Sequence, residues 1–179
     1  MPWQEVHSFW FGELEPQQWW QVDEALDREI SSRFGALHEA ACACELADWR
    51  NDAAGCLAEI IVLDQFSRNI YRDDPRAFAQ DGMALLLAQE AIRTGADQVF
   101  DTPQKAFFYM PFMHSESALI HEQAVDLFDQ PGAEYNLEFE LKHKAIIDRF
   151  GRYPHRNAIL NRESTADELA FLEGPDSSF

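Results

Sequence analysis

The stretch AAGCLAEIIVLDQFSR, Ala53 to Arg68, decides the fold class. Wound as a helix, it puts Leu57, Ile60 and Ile61 on one side and Val62, Leu63 and Phe66 on the others. A helix that is apolar nearly all round belongs inside a protein. Asp52 in front of it has the side chain of an N-cap. Asp64 and Arg68 share the face of Leu57 and Ile61, four residues apart with the acid first, which is the favourable order for a side-chain pair. The spacing predicts an Asp64–Arg68 ion pair in a largely buried place. Ionised groups there must be paired and hydrogen-bonded, because desolvation otherwise costs several kcal/mol.

Helical signals continue on both sides. Pro2 to Phe11 repeats Val6, Phe9 and Trp10 at helical spacing and stops at Gly12, and Glu13 to Gln18 reads as a polar connection. Asp23 to Glu45 carries Leu26, Ile30, Phe34, Leu37 and Ala41, with Gly35 placed to kink or divide it. Asp74-Pro75 starts a helix to about Arg93, with Phe78, Leu85, Ala88 and Ile92 inward and Gly95 beyond its end. Asp101-Thr102-Pro103 repeats the start signal, and Pro111 ends or kinks that helix. Ser115 is placed to cap the next, in which Leu119, Ala124, Leu127 and Phe128 pack. After a turn at Gln130-Pro131-Gly132, Glu134 to Phe150 puts Phe139, His143, Ile146 and Phe150 on one stripe, with Gly151 as its C-cap. Pro154 keeps Tyr153 out of the helical region, and Thr165 with Glu168 forms a capping box for a last short helix. No run of alternating β-branched residues suggests a strand. The fold class is all-α: six to nine helices joined by short turns in a single domain over residues 1–179.

Composition narrows the function. The 179 residues are 46% hydrophobic, with 14 Phe and 5 Trp, enough to build a core without disulfide or metal. All five tryptophans fall between Trp3 and Trp49, an aromatic layer read as packing. The net charge of −18 argues against general nucleic-acid or anionic-membrane binding. No leader peptide is recognisable at Met1 to Glu13, and no apolar run is long enough to span a bilayer. Cys42, Cys44 and Cys56, an odd count without CxxC, read as reduced core thiols of a cytoplasmic protein.

Against the acidic background, Lys142 to Arg162 is a basic island: Lys142, Lys144, Arg149, Arg152, Arg156 and Arg162 face Asp148 alone. Its heart, HKAIIDRFGRYPHRN (His143–Asn157), is one of three polar clusters on apolar scaffolding. The others are Asp64, Arg68, Asn69 and Arg72, and His114, Ser115 and Glu116. Converging, they would form a pocket. Its ligand-binding residues would be Asp64, Arg68, Asn69, Arg72, His143, Arg149, Arg152, His155, Arg156 and Asn157. Its guanidinium groups could hold a small anionic ligand or an acidic peptide. The alternative is an acid–base or hydrolytic enzyme using His114 or His155 with Glu116 or Asp64. The third reading is a satisfied polar network that ties helices together. Metal ligation has little support: His114 with Glu116 or His121 gives no HExxH and few ligands, and no metal or cofactor is expected. Nothing resembles GxSxG, and no cysteine adjoins a histidine. Oligomeric state is open.

LDQFSRNIYRDDPRAFAQD (Leu63–Asp81), PFMHSE (Pro111–Glu116), RFGRYPHRN (Arg149–Asn157) and the tail NREST…ELAFL resemble, in order and over nearly the whole chain, the bacterial domain-of-unknown-function family numbered 924. The resemblance implies an all-α fold like the helix-pair stack (α–α superhelix) of tetratricopeptide-repeat proteins, and no activity. Its signature positions fall here on Asp64, Gln65, Arg68, Asn69, Arg72, His114, Glu116, Arg149, Arg152, His155, Arg156 and Asn157. Ser67, Tyr153 and Asn161 stand where that family usually has Pro, Phe and Gly.

Overall fold

Asp52, Asp23 and Thr165 each accept hydrogen bonds from backbone N–H groups one to two residues into the helices they precede, so local chemistry fixes three of the helix starts. The computed structural model describes residues 1–175, 177 and 178, and among them it contains helices and turns and no strand. The reading of residues 1–179 as one domain therefore takes in two positions, Asp176 and Phe179, outside the described residues.

In chain order, α1 (Trp3–Ser8) runs into a π-helical turn, Phe9–Glu13, and a 3-10 turn, Pro16–Trp20. Helix α2 (Glu24–Cys42) is continuous through Gly35, so the glycine neither kinks nor divides it. The decisive stretch is α3 (Ala53–Ile61), a π-helical turn (Val62–Phe66) and α4 (Ser67–Ile70), end to end. A 3-10 turn (Pro75–Phe78) precedes α5 (Asp81–Arg93), so the helix read from Pro75 is two elements. Helix α6 (Thr102–Met113) passes through Pro111, which neither ends it nor stops it from reaching His114. Helices α7 (Ala118–Phe128) and α8 (Glu134–Phe150) follow, and after a 3-10 turn at Pro154–Arg156 comes α9 (Ala166–Leu172). Helix α8 ends on Gly151 at φ +69°, a left-handed cap that glycine adopts without steric cost.

Sequential neighbours pack side by side: α5 on α6, α6 on α7, and α7 on α8. Around the decisive helix, α1 packs on α3, and α2 covers the π-helical turn and α4. Leu57, Ile60, Ile61, Val62, Leu63 and Phe66 are all at most 1% exposed, as an all-round apolar helix requires. Phe66 meets Phe34 and Phe9, and Trp10 meets Phe107, with ring centroids between 5.0 and 6.2 Å apart. Trp19 donates its indole N–H to Trp10 O at 2.8 Å, so this aromatic layer is packing. Helix α5 approaches the core closely because its buried stripe is Ala84, Ala88 and Ala91, leaving Leu85 and Ile92 half-buried. A second, smaller cluster gathers Ile146, Ile147 and Tyr153 with Phe150 and Phe171.

Three local expectations need correction. Leu119 is exposed, because α7 starts after Ser117 and turns His121, Ala124 and Phe128 inward. Ser115 therefore caps no helix; its hydroxyl accepts from Ser117 N instead. Cys44 is no core thiol: it lies exposed just past α2 at φ +61°, while Cys42 and Cys56 are half-buried and all three are free.

Candidate functional site

Asp64 is the residue around which the polar side chains assemble. It lies in the π-helical turn, 1% exposed, where burial alone would push its carboxyl group up. The His114 ring and the Arg68 guanidinium outweigh burial, and with hydrogen bonds from His114 and Gln65 they hold it at about 2. His114 Nδ1 lies 2.7 Å from Asp64 Oδ1, and Gln65 Nε2 donates to Oδ2 at 2.6 Å.

Arg68 is only loosely placed on the Asp64 carboxylate, at 3.5 Å. Its bidentate partner is Asp81 at the start of α5, with Nη1 and Nη2 donating at 2.8 and 3.0 Å, while Nη1 also reaches Asp64 O at 2.9 Å. The predicted Asp64–Arg68 pair is thus the weaker half of a larger arrangement. Arg156, brought in by the Pro154–Arg156 turn, completes it: Nη1 reaches Asp81 at 3.4 Å and Nη2 donates to His114 O at 3.0 Å. Its guanidinium lies 4.5 Å from the Phe78 ring and 4.6 Å from that of Tyr153. Burial and the neighbouring Arg68 lower its proton affinity.

Of these groups, Asp81, His114 and Arg156 border a cleft of about 330 Å³ between α5, the end of α6 and the Pro154 turn. Pro75, Phe78, Leu85, Pro111 and Leu160 give it apolar walls; Asp81, His114, Ser115, Glu116 and Arg156 give it a polar side. That combination is the usual make-up of a small-molecule site. Burial lowers the His114 pKa, Arg68 lowers it further, and Asp64 opposes both. The ring is therefore neutral at neutral pH. An ionised Asp64 can only accept, which puts the imidazole proton on Nδ1 and leaves a lone pair on Nε2. Among the described residues, Nε2 has no hydrogen-bond partner, and the side chain is 16% exposed on the cleft wall.

Behind the cleft, further hydrogen bonds fix the segment that follows His114. His121 Nε2 lies 2.8 Å from Ser115 O, and its Nδ1 lies 2.6 Å from buried Glu140. Glu116 binds Arg162 twice, at 2.7 and 2.9 Å, and accepts from Tyr153 N at 2.8 Å. Asn157 joins through Arg162 and Ser164. His143 Nδ1 donates to Phe139 O at 2.7 Å, and its ring meets Tyr153 edge-on. Two of the three family departures add contacts: Ser67 Oγ donates to Leu63 O and meets His38 Nε2 of α2, and the Tyr153 hydroxyl donates to Met113 O beside His114. Asn161, the third, has φ +53°, a conformation that asparagine tolerates better than most residues.

The sequence-selected residues do not all meet in one place. Asp64, Arg68, His114 and Arg156 come together in one cluster, of which His114 and Arg156, with Glu116, line the cleft. Asn69 and Arg72 do not join them: both bind Asp27 of α2, at 2.6 to 2.8 Å. Arg149 and Arg152 border a separate depression with Phe150, Thr165 and Glu168. There Arg152 grips Glu168 at 2.7 and 2.8 Å, and exposed Arg149 lies over Phe150. His155 stands beside Tyr153, off the cleft wall, with burial pushing it down to about 4. Asp81 was not singled out from the sequence, although it bridges both central arginines; its only local sign is an acid in the first turn of a helix. Arg162 was noted for charge alone. Among the described residues, no group of three or more His, Cys, Asp or Glu side chains could hold a metal ion.

A family model described as "Bacterial protein of unknown function (DUF924)" matches residues 6–176. A solved structure of a protein of unknown function, ATU0120 from Agrobacterium tumefaciens, is 39% identical, covers 96% of this chain and 97% of its own, and superposes with a TM-score of 0.91. No curated protein matches the chain.

Proposed function

The chain belongs to the bacterial DUF924 family, whose function is unknown, and we propose that its cleft is a small-molecule site in which His114, oriented by Asp64, acts as a general acid–base. The observation that carries this reading is the 2.7 Å contact between His114 Nδ1 and buried Asp64, beside a cleft that the same ring lines. Such a pair defines one tautomer and presents one basic nitrogen. In the reaction, Nε2 would take a proton from the bound substrate, the imidazolium would be stabilised by Asp64, and the proton would return to the product or leaving group. Positioned proton transfer of this kind contributes on the order of 10² to 10⁴-fold in rate. Arg68 and Arg156 serve it indirectly, by holding Asp81 and the His114 carbonyl in place.

Of the two histidines and two carboxylates expected as candidates, geometry favours His114 with Asp64. Glu116 is engaged by Arg162 and Tyr153 N, and His155 lies off the wall. The anionic-ligand reading retains one supporting observation. Arg149 is exposed, makes no ion pair among the described residues, and borders the second depression, where a small anion or an acidic peptide could dock. Among the described residues no helix is long and apolar enough to cross a membrane; a cytoplasmic location is part of the proposal and rests on the free cysteines.

Acylation of histidines with diethyl pyrocarbonate tests the acid–base reading. His114 should react ahead of His121 and His143, and Asp64→Asn should slow it at least tenfold. An unreactive His114 in the folded protein would overturn the assignment.

A further inference from the structure

Which head group the cleft accepts follows from its donors and acceptors. Both terminal nitrogens of Arg68 face Asp81. Those of Arg156 are engaged by Asp81 and His114 O, and its Nε is buried without a hydrogen-bond partner. The His114 N–H belongs to Asp64. Apart from the buried Arg156 Nε–H, these donors are directed at protein acceptors. What the wall keeps available are acceptors. His114 Nε2 has its lone pair. Asp81 receives three hydrogen bonds and a carboxylate has about four acceptor sites. Glu116 likewise receives three. Ser115 Oγ accepts from Ser117 N and keeps one neutral O–H.

The charges balance in pairs: Arg68 and Arg156 against Asp64 and Asp81, and Arg162 against Glu116. An incoming carboxylate or phosphate would be set against the Asp81 and Glu116 carboxylates, and the Arg156 Nε–H that lacks a partner is buried, so the anion's desolvation would be poorly compensated. A hydroxyl or an ammonium would find acceptors on three sides.

We infer that the cleft takes a small ligand with an apolar body on Phe78 and Leu85 and a hydrogen-bond-donating head, an alcohol or a primary amine, against His114 and Asp81. This rests on the small-molecule reading of the cleft and names its substrate class. It also reverses the sign suggested by the basic island in the sequence. The head's own O–H or N–H is then the proton that His114 Nε2 faces.

Three matched probes test it on the full chain: benzylamine, benzyl alcohol and benzoate, at equal millimolar concentration, followed by NMR shifts of His114, Leu85 and Asp81. Benzylamine and benzyl alcohol should move these signals, benzoate should not, and Leu85→Trp, which fills the cleft, should abolish the effect. Benzoate binding as well as the donor probes, or neither donor probe binding, would overturn the inference. The His114 nitrogen shifts, read on the same sample, separate the two readings. If Nε2 is unprotonated and the donor probes fail, the substrate class falls while the acid–base reading stands. If Nε2 carries the proton, the acid–base reading falls, and the probes still decide which head group the cleft prefers.

Discussion

Arg68 gives its bidentate grip to Asp81, thirteen residues ahead, and leaves Asp64, four residues behind, to His114. That exchange of partners builds a four-residue polar cluster out of what would otherwise be an ordinary helical ion pair. The π-helical turn at Val62–Phe66 alters the spacing on which an i, i+4 pair depends.

Breaking the Arg68–Asp81 pair should be expensive. Both side chains are at most 20% exposed, and removing one partner strands the other. Arg68→Ala should lower unfolding free energy by about 3 kcal/mol, as loss of one member of a largely buried pair does. Urea denaturation of Arg68→Ala, Asp81→Ala and the double variant measures this. The double variant should lose less than the two singles together. A melting point at or above that of the parent protein would remove the pair from the stability account.

Gly55 should tolerate no side chain. A Cβ built there would sit 2.1 Å from Trp49 O, a backbone atom that cannot swing aside. Gly55→Ala should therefore destabilise the protein by more than 2 kcal/mol, on the order of an overpacked core, although alanine is the better helix former. Thermal melts of this variant, with Gly35→Ala as a control in open space, give the comparison.

Arg149 and Arg152, three residues apart, should behave differently. Arg152 holds Glu168, the capping-box residue of α9, and also donates to Glu163 O. Arg149 only overlies Phe150 and Phe171. Arg152→Ala should loosen the Thr165–Leu172 segment, seen as faster amide hydrogen exchange there. Arg149→Ala should change stability by less than about 1 kcal/mol, the range of an exposed cation–π contact.

Acid should weaken the fold before carboxylates titrate. Burial pushes His143 down to about 3, below its ordinary value near 6.5. Between those values the unfolded chain binds a proton that the folded chain refuses. Stability therefore falls as pH drops from 6.5 toward 3, by up to about 1.4 kcal/mol per unit from this residue. Asp64, held at about 2, adds a second loss only as pH drops below about 4, its ordinary range. Melting temperature followed from pH 7 to pH 5 should fall more steeply for the parent than for His143→Gln. Equal slopes would contradict the assignment.

The helices were legible because periodicity and caps are local. Asp52 and Thr165 announced their helix starts, and the apolar run Leu57–Phe66 announced its burial. The α7 face was misjudged because a buried histidine, His121, interrupts the apolar stripe and left Leu119 looking like core. The site was half legible. Charged residues on apolar scaffolding pointed to Asp64, Arg68, His114 and Arg156. Their partners could not be assigned, since Asp81, Glu140 and Arg162 act through tertiary approach and carry no pattern of their own. Asn69 and Arg72 looked like members of the site because they are close in sequence, but the helix turns them toward Asp27.

The most direct test is the protonation state of His114, read by long-range ¹H–¹⁵N NMR at neutral pH on the full chain. The account predicts a neutral ring with the proton on Nδ1 and an unprotonated Nε2, and loss of that fixed tautomer in Asp64→Asn. A proton on Nε2, or a ring whose tautomer is unchanged by Asp64→Asn, would contradict it.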